Sequence, residues 1–291
     1  MVYHIPVLLD EVLNGLQVRP GGVYVDCTVG EGGHSTAIME SCGPTGKLLG
    51  LDLDGQALGT AIQSLETYGC SNILVNDNFG NLVEIASKKG FDAVDGILFD
   101  LGLSSLQLEG EGKGFSFNLE EPLDMRFDSS QDLTAAHVVN EYSDKELIDV
   151  IRKYGEEPRA RNITRAIVAN RPIENSLALA QIVKRAATRK WSRTHPATRT
   201  FQAIRIEVNG ELQNIECALH QTIPILKPGG RLVVISYHSL EDRIVKGFLR
   251  QESRESENFR LINKKIISPS QEEVKANFRS RSARMRVAER I

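Results

Sequence analysis

The stretch Val23–Asp54, VYVDCTVGEGGHSTAIMESCGPTGKLLGLDLD, decides the fold. Val23–Val25 is a short β-branched and aromatic run that stops at Asp26, as a buried strand does. Gly30, Gly32 and Gly33 predict a tight turn, and Ser35 or Thr36 a helix N-cap before Ala37, Ile38 and Met39. After Gly43–Gly46 a second strand, Lys47–Leu51, runs into Asp52. Strand, glycine turn, helix, strand and terminal acid make a nucleotide-binding βαβ unit. Its glycines admit a ligand close to the backbone, and an acid 20 residues beyond Gly32 is placed to accept ribose hydroxyls.

The spacing leaves three readings open. A dinucleotide site wants G-x-G-x-x-G so that the pyrophosphate rests on a helix N-terminus. Here the glycines run G-x-G-G-H behind Asp26, and an acid aimed into the turn suits a cationic ligand without phosphates, such as S-adenosylmethionine. The third reading is an unliganded turn in another α/β protein.

Working outward, His4–Leu16 carries Val7, Leu8, Val12 and Leu16 at helical spacing. Helix Gln56–Tyr68, strand Asn72–Val75, helix Asn81–Lys89 and strand Val94–Leu101 continue the alternation, which predicts a parallel doubly wound sheet. Ligands then bind at the carboxyl ends of its strands, where Asp26, Asp52, Asp77 with Phe79, and Asp100 converge. The alternation stops at Gly102–Ser130, which reads as a long loop, and Thr134–Arg193 reads as helical throughout. One helix, Thr200–His220, and a turn at Lys227–Gly230 lead to strand Arg231–Tyr237 and helix Glu241–Gln251. The predicted division is a discontinuous α/β sheet domain, 1–108 and 200–291, with 109–199 as an inserted all-α domain that recognises substrate.

Composition narrows the class. The 291 residues are 41% apolar and 25% charged, ordinary for a globular protein, with room for one large domain or two. No apolar run approaches the roughly 20 residues of a membrane helix, and acids stand where a targeting peptide would be basic. The cytoplasm is the expected location. Cys27, Cys42, Cys70 and Cys217 lack paired spacing and imply free thiols and no metal. A net charge of −3 hides a strong polarity: residues 1–150 carry 7 Lys+Arg against 24 Asp+Glu, whereas 151–205 carry 13 against 3. So basic a segment favours a polyanion surface over a solvated face. Arg161, Arg165, Lys184, Arg185, Arg199 and Arg205 are the candidate RNA contacts; for Arg199 and Arg205 intramolecular ion pairs with Glu207 or Glu211 are the alternative.

Several motifs extend beyond class. DCTVGEGGHS (26–35), GILFDLGLSSLQL (96–108), GFSF (114–117), PLDMRFD (122–128), HPATRTFQAIRIEVN (195–209), LKPGGRL (226–232), ISYHSLEDRIVK (235–246) and RSRSARMRVAER (279–290) cover nearly the whole chain in order. Together they resemble the ribosomal RNA small subunit methyltransferase H family. The resemblance implies a class I Rossmann-like S-adenosylmethionine-dependent enzyme that methylates the exocyclic N4 amine of a cytidine in the decoding centre of 16S rRNA. By position it implies cofactor contacts at Gly32, Gly33, His34, Asp52, Phe79, Asp100 and Gln107, and it is compatible with a homodimer. Leu103, Tyr237 and Phe278 depart mildly from its usual pattern.

The residues support the same chemistry. A cytosine amine is a poor nucleophile because its lone pair is delocalised, and a group accepting its N–H bonds makes it more reactive. Asp100 is the candidate acceptor, although a cofactor contact is its alternative role; Ser104 and Ser105 are candidates for orienting the base. His238 faces the same crevice as either a substrate contact or a structural group, and Ser239–Asp242 reads as a helix cap rather than part of a metal site. Phe115 and Phe117 stack on a flipped base or pack their loop. Two other classes are weighed: a nicotinamide-dependent oxidoreductase, which leaves the basic segment idle, and a non-catalytic RNA-binding module, against which the intact GEGGH and DLGLSS speak.

Overall fold

Three strands end on the acids that the sequence singled out. The computed structural model of the chain describes residues 6–66, 68, 71–104, 107, 112–187 and 195–291; His4, Cys70 and Ser105 lie outside them. Helix α1 (Leu9–Leu16) precedes β1 (Val23–Asp26), α2 (Gly33–Cys42), β2 (Lys47–Asp52), α3 (Gly55–Leu65), β3 (Ser71–Asn76), α4 (Leu82–Lys89) and β4 (Val94–Asp100). After the helical segment come α10 (Glu211–Ile225), β5 (Leu226–Ser236), α11 (Ser239–Arg254), β6 (Phe259–Leu261), α12 (Gln271–Ala276) and β7 (Arg284–Arg290).

The sheet order is β3-β2-β1-β4-β5-β7-β6. β1 to β5 are parallel neighbours, and β7 lies antiparallel between β5 and β6. Successive strand residues point to opposite faces. Val25, Leu49, Ile97, Phe99 and Val234 therefore pack with α4, α10 and α11 in one core, while Tyr24, Leu48, Leu98 and Val233 pack with α1 and α2 in the other. Full burial of each such side chain contributes roughly 1.5–3 kcal/mol. Strand order reverses beside β1, between β2 and β4, and the crevice of an open α/β sheet lies there.

The chain divides into two compact units, Met1–Gly102 with Leu212–Ile291, and Leu103–Glu211. The second holds α5 (Ala135–Asn140), α6 (Asp144–Gly155), α7 (Ala160–Ala169), α8 (Ser176–Ala187) and α9 (Thr198–Asn209). In α7 Ala160, Ile163, Thr164 and Ile167 form a buried stripe at helical spacing. Ser143 opens α6 with a full capping box on Glu146. Ile163, Leu179 and Phe201 meet in this unit's own core.

Three expectations need correction. The single helix Thr200–His220 is two, α9 and α10, broken at Gly210, and α9 packs on α5 and α6 inside the helical unit. The boundaries therefore fall after Gly102 and Glu211 rather than at 108 and 199. Neither Ser35 nor Thr36 caps α2: Gly32 takes that position, and the Ser35 hydroxyl is spent on Asp26.

Candidate active site

The glycine turn is wired to the second strand's acid. Gly30 N–H donates to Asp52 Oδ2 at 2.7 Å and Asp54 N–H to Oδ1 at 2.8 Å. Asp54 in turn caps α3 through Gln56 N–H. Gly32 has φ +92°, and a Cβ there would sit 3.2 Å from Ala61 Cβ, so turn and helix approach because no side chain intervenes. Around Gly30 a Cβ would meet nothing within 4 Å, which leaves the turn's backbone accessible. Burial pushes the Asp52 carboxyl up to about 6 against the lowering pull of the two backbone donors.

Asp26 is fully buried and accepts the Ser35 hydroxyl at 2.7 Å and Thr28 N–H at 3.1 Å. Thr28 then reaches β4, its Oγ1 accepting the Asp100 backbone N–H at 2.6 Å. The Asp100 carboxylate takes the Tyr237 hydroxyl on Oδ1 at 2.8 Å and has His34 Nδ1 3.5 Å from Oδ2. Its side chain keeps 22% exposure. Burial, opposed by His34 and Tyr237, brings its carboxyl up to about 6. Asp77 accepts from Asn78 N–H and Asn81 Nδ2–H, and half-buried Phe79 meets Phe99 edge-on at 5.7 Å.

Gly30, Asp26, His34, Asp52 and Asp100 are thus brought together at the strand ends. Among the described residues no Lys or Arg forms an ion pair with Asp26, Asp52 or Asp100. Such a crevice repels a diphosphate and attracts a cation. S-adenosylmethionine, with ammonium and sulfonium groups, fits this donor set: Asp52 has lone pairs left for hydroxyls, and the open turn at Gly30 receives the ligand without displacing a side chain.

His238 has a structural occupation. It is the N-cap of α11, its Nδ1 accepting Glu241 N–H at 3.3 Å, while Glu241 accepts the backbone N–H groups of Tyr237 and His238. Sequence reading named the cap one residue late. It also missed Thr28 and Tyr237 as partners of Asp100; only their positions, just past one strand end and at another, signalled them.

In the helical unit, Ser104 N–H donates to Gln107 Oε1 at 3.0 Å and Gln107 N–H to Ser104 Oγ at 3.3 Å. Phe115 stacks on Phe127, and Phe117 stacks on His195 with an interplanar angle of 5°, so both pack their loop. Arg161, Arg165, Lys184 and Arg185 are exposed. Arg199 donates to the Glu156 carbonyl at 2.9 Å. Arg205 is corrected: it makes a two-pronged pair with Glu211, both bonds 2.8 Å, and at 11% exposure offers little guanidinium to a polyanion.

Five parallel strands with an antiparallel β7, and carboxylates where a dinucleotide would need donors, define a class I S-adenosylmethionine-dependent methyltransferase. A crystal structure from Clostridium thermocellum shares the fold, with a TM-score of 0.50 at 15% identity over 99% of this chain and 100% of that one. The chain belongs to the MraW methylase family, whose model matches residues 1–291. It is similar to ribosomal RNA small subunit methyltransferase H of Dehalococcoides mccartyi, 52% identical over 99% of this chain and 86% of that one. The protein of the same name from Thermomicrobium roseum is 47% identical over 99% and 94%.

Proposed function

We propose that this protein transfers a methyl group from S-adenosylmethionine to the exocyclic N4 amine of a cytidine in the decoding centre of 16S rRNA. The observation that carries the chemistry is the Asp100 carboxylate, partly exposed at the switch of the sheet, bonded by the Tyr237 hydroxyl and carried on a backbone N–H that Thr28 Oγ1 accepts. When bound, the cofactor supplies an electrophilic methyl on a sulfonium centre. Asp100 accepts an N–H of the target amine, localises the nitrogen lone pair and holds a proton as the new bond forms. Asp52 binds the ribose hydroxyls, Gly32, Gly33 and His34 border the methionine moiety, and Phe79 borders the adenine. Gln107 is a further cofactor contact, and Ser104 and Ser105 orient the base. His238 serves as the α11 cap.

Arg161, Arg165, Lys184 and Arg185, with Arg199 beside them in sequence, form the RNA surface. The exposure of Arg161, Arg165, Lys184 and Arg185 and the 13-to-3 excess of basic residues over 151–205 support it. The substrate places the protein on the small ribosomal subunit or its RNA in the cytoplasm. No helix among the described residues is long and apolar enough to cross a membrane. A homodimer is the assembly proposed from the family likeness. The oxidoreductase reading has to seat a pyrophosphate beside Asp26, Asp52 and Asp100, with no Lys or Arg paired to them among the described residues. A non-catalytic module has no reason to keep buried, cation-free carboxylates that burden its stability.

Incubating the purified chain with methyl-tritiated S-adenosylmethionine and small-subunit RNA tests the proposal. Label should appear in N4-methylcytidine alone. Label in another nucleoside, or none with cofactor bound, contradicts it.

A further inference from the structure

We propose that Tyr237 is a positioning residue for methyl transfer, its hydroxyl fixing the Asp100 carboxylate in the orientation and ionised state that accept the target amine. This rests on the assignment of Asp100 above. Tyr237 follows β5, and Asp100 ends the neighbouring β4, so the contact spans two adjacent strand ends 137 residues apart in sequence. A phenol donates and the carboxylate oxygen accepts, and the 2.8 Å separation is that of a good hydrogen bond. The ring has room because Gly102 has none to contribute: a Cβ there would lie 3.1 Å from the Tyr237 ring, and φ +115° suits glycine alone. Glycine two residues after the acid thus lets the tyrosine lie against the chain and reach back to it.

The other oxygen is set differently. His34 Nε2 is 2.9 Å from the Val7 carbonyl, which only accepts, so that nitrogen is assigned the hydrogen. Nδ1 then faces Oδ2 at 3.5 Å. The charged or titratable groups facing the Asp100 carboxyl are His34 on α2, Asp26 on β1, Glu241 on α11 and Tyr237 itself. Asp26 and Glu241 favour the protonated acid. The Tyr237 hydroxyl favours the carboxylate and is the donor at hydrogen-bonding distance, and His34 adds to it when its ring carries both protons. Burial likewise keeps the Tyr237 phenol well above its ordinary range, so it remains a donor wherever enzymes of this kind work. Without it, Asp100 holds its proton to higher pH and turns more freely.

Tyr237→Phe keeps the ring and deletes the donor. We expect its acid limb for single-turnover methyl transfer, at saturating cofactor, to move to higher pH, with roughly a 3- to 30-fold loss of rate at pH 7. The affinity for S-adenosylmethionine should stay within twofold. In the cofactor-free chain, the Asp100 carboxyl signal in 13C NMR, assigned by its loss in Asp100→Asn, should titrate at higher pH in Tyr237→Phe. A superimposable pH profile and unchanged carboxyl titration in a folded Tyr237→Phe overturn the proposal. Asp100→Asn separates this from the reading beneath it. If that variant turns over normally, the assignment of Asp100 fails. If it is crippled while Tyr237→Phe behaves as wild type, the tyrosine's role alone fails.

Discussion

At the scale of single residues the site conflicts with stability. Asp26, Asp52 and Asp100 are desolvated carboxylates close to one another, and burial raises all three. A carboxyl raised in the folded state binds its proton there more tightly than in the unfolded chain. Its stabilising contribution is therefore complete below about pH 4 and lost as pH climbs through the folded value of about 6. Asp100→Asn carries no such loss. It should be more stable than wild type by about 1–3 kcal/mol at pH 8, with the gap closing as pH falls from 6 to 4. Urea unfolding at pH 8 and pH 4 measures both. A variant no more stable at pH 8 than wild type would mean that Asp100 is already compensated, and would remove the conflict.

At the scale of elements, what was legible in the sequence follows physical distance. β1, β2 and β4 read correctly because an apolar run that ends in an acid reports its own burial. Helix α11 is legible, but serine is the commoner N-cap and points to Ser239; the structure uses the preceding imidazole. The break at Gly210 was hidden between two strongly helical segments, where Asn209–Gly210 was the available signal. β7 is masked by its arginines, although Met285 and Val287 alternate with Arg284 and Arg286 as in a half-buried strand. The charges on this half-buried strand are matched: Arg286 pairs with Asp242, and Glu289 takes Arg231 from the neighbouring β5. The cap makes its own prediction. His238→Ala should lose about 1–2 kcal/mol of stability, and His238→Asn, which can still cap, should recover most of it with turnover intact. Loss of turnover in the stable Asn variant would return His238 to the catalytic residues.

The same limit governed the site. The glycine turn and the acids at strand ends were legible because each is local. The Tyr237–Asp100 bond and the Thr28–Asp100 bond join positions 137 and 72 apart, and no local pattern reports them. Arg205 and Glu211, only six apart, were within reach, and the ion pair named as the alternative is the one that forms.

At the scale of the whole molecule, charge is sorted within the units. The segment 103–211 carries 16 Lys+Arg and 16 Asp+Glu, yet 13 of those basic residues fall in 151–205. Its neutrality in sum conceals a basic portion able to release counterions from a polyanion. Reversing Arg161, Arg165, Lys184 and Arg185 to Glu should weaken RNA binding by at least tenfold and flatten its dependence on salt, while cofactor affinity stays unchanged. An unaltered slope of log affinity against log salt would move the footprint elsewhere, first to the run Arg279–Arg290. The most direct test of the central claim is mass mapping of 16S rRNA nucleosides from cells with and without this protein. Loss of one N4-methyl group, from a single decoding-centre cytidine, with every other modification kept, is the predicted result. A 16S rRNA map identical in the two strains would contradict it.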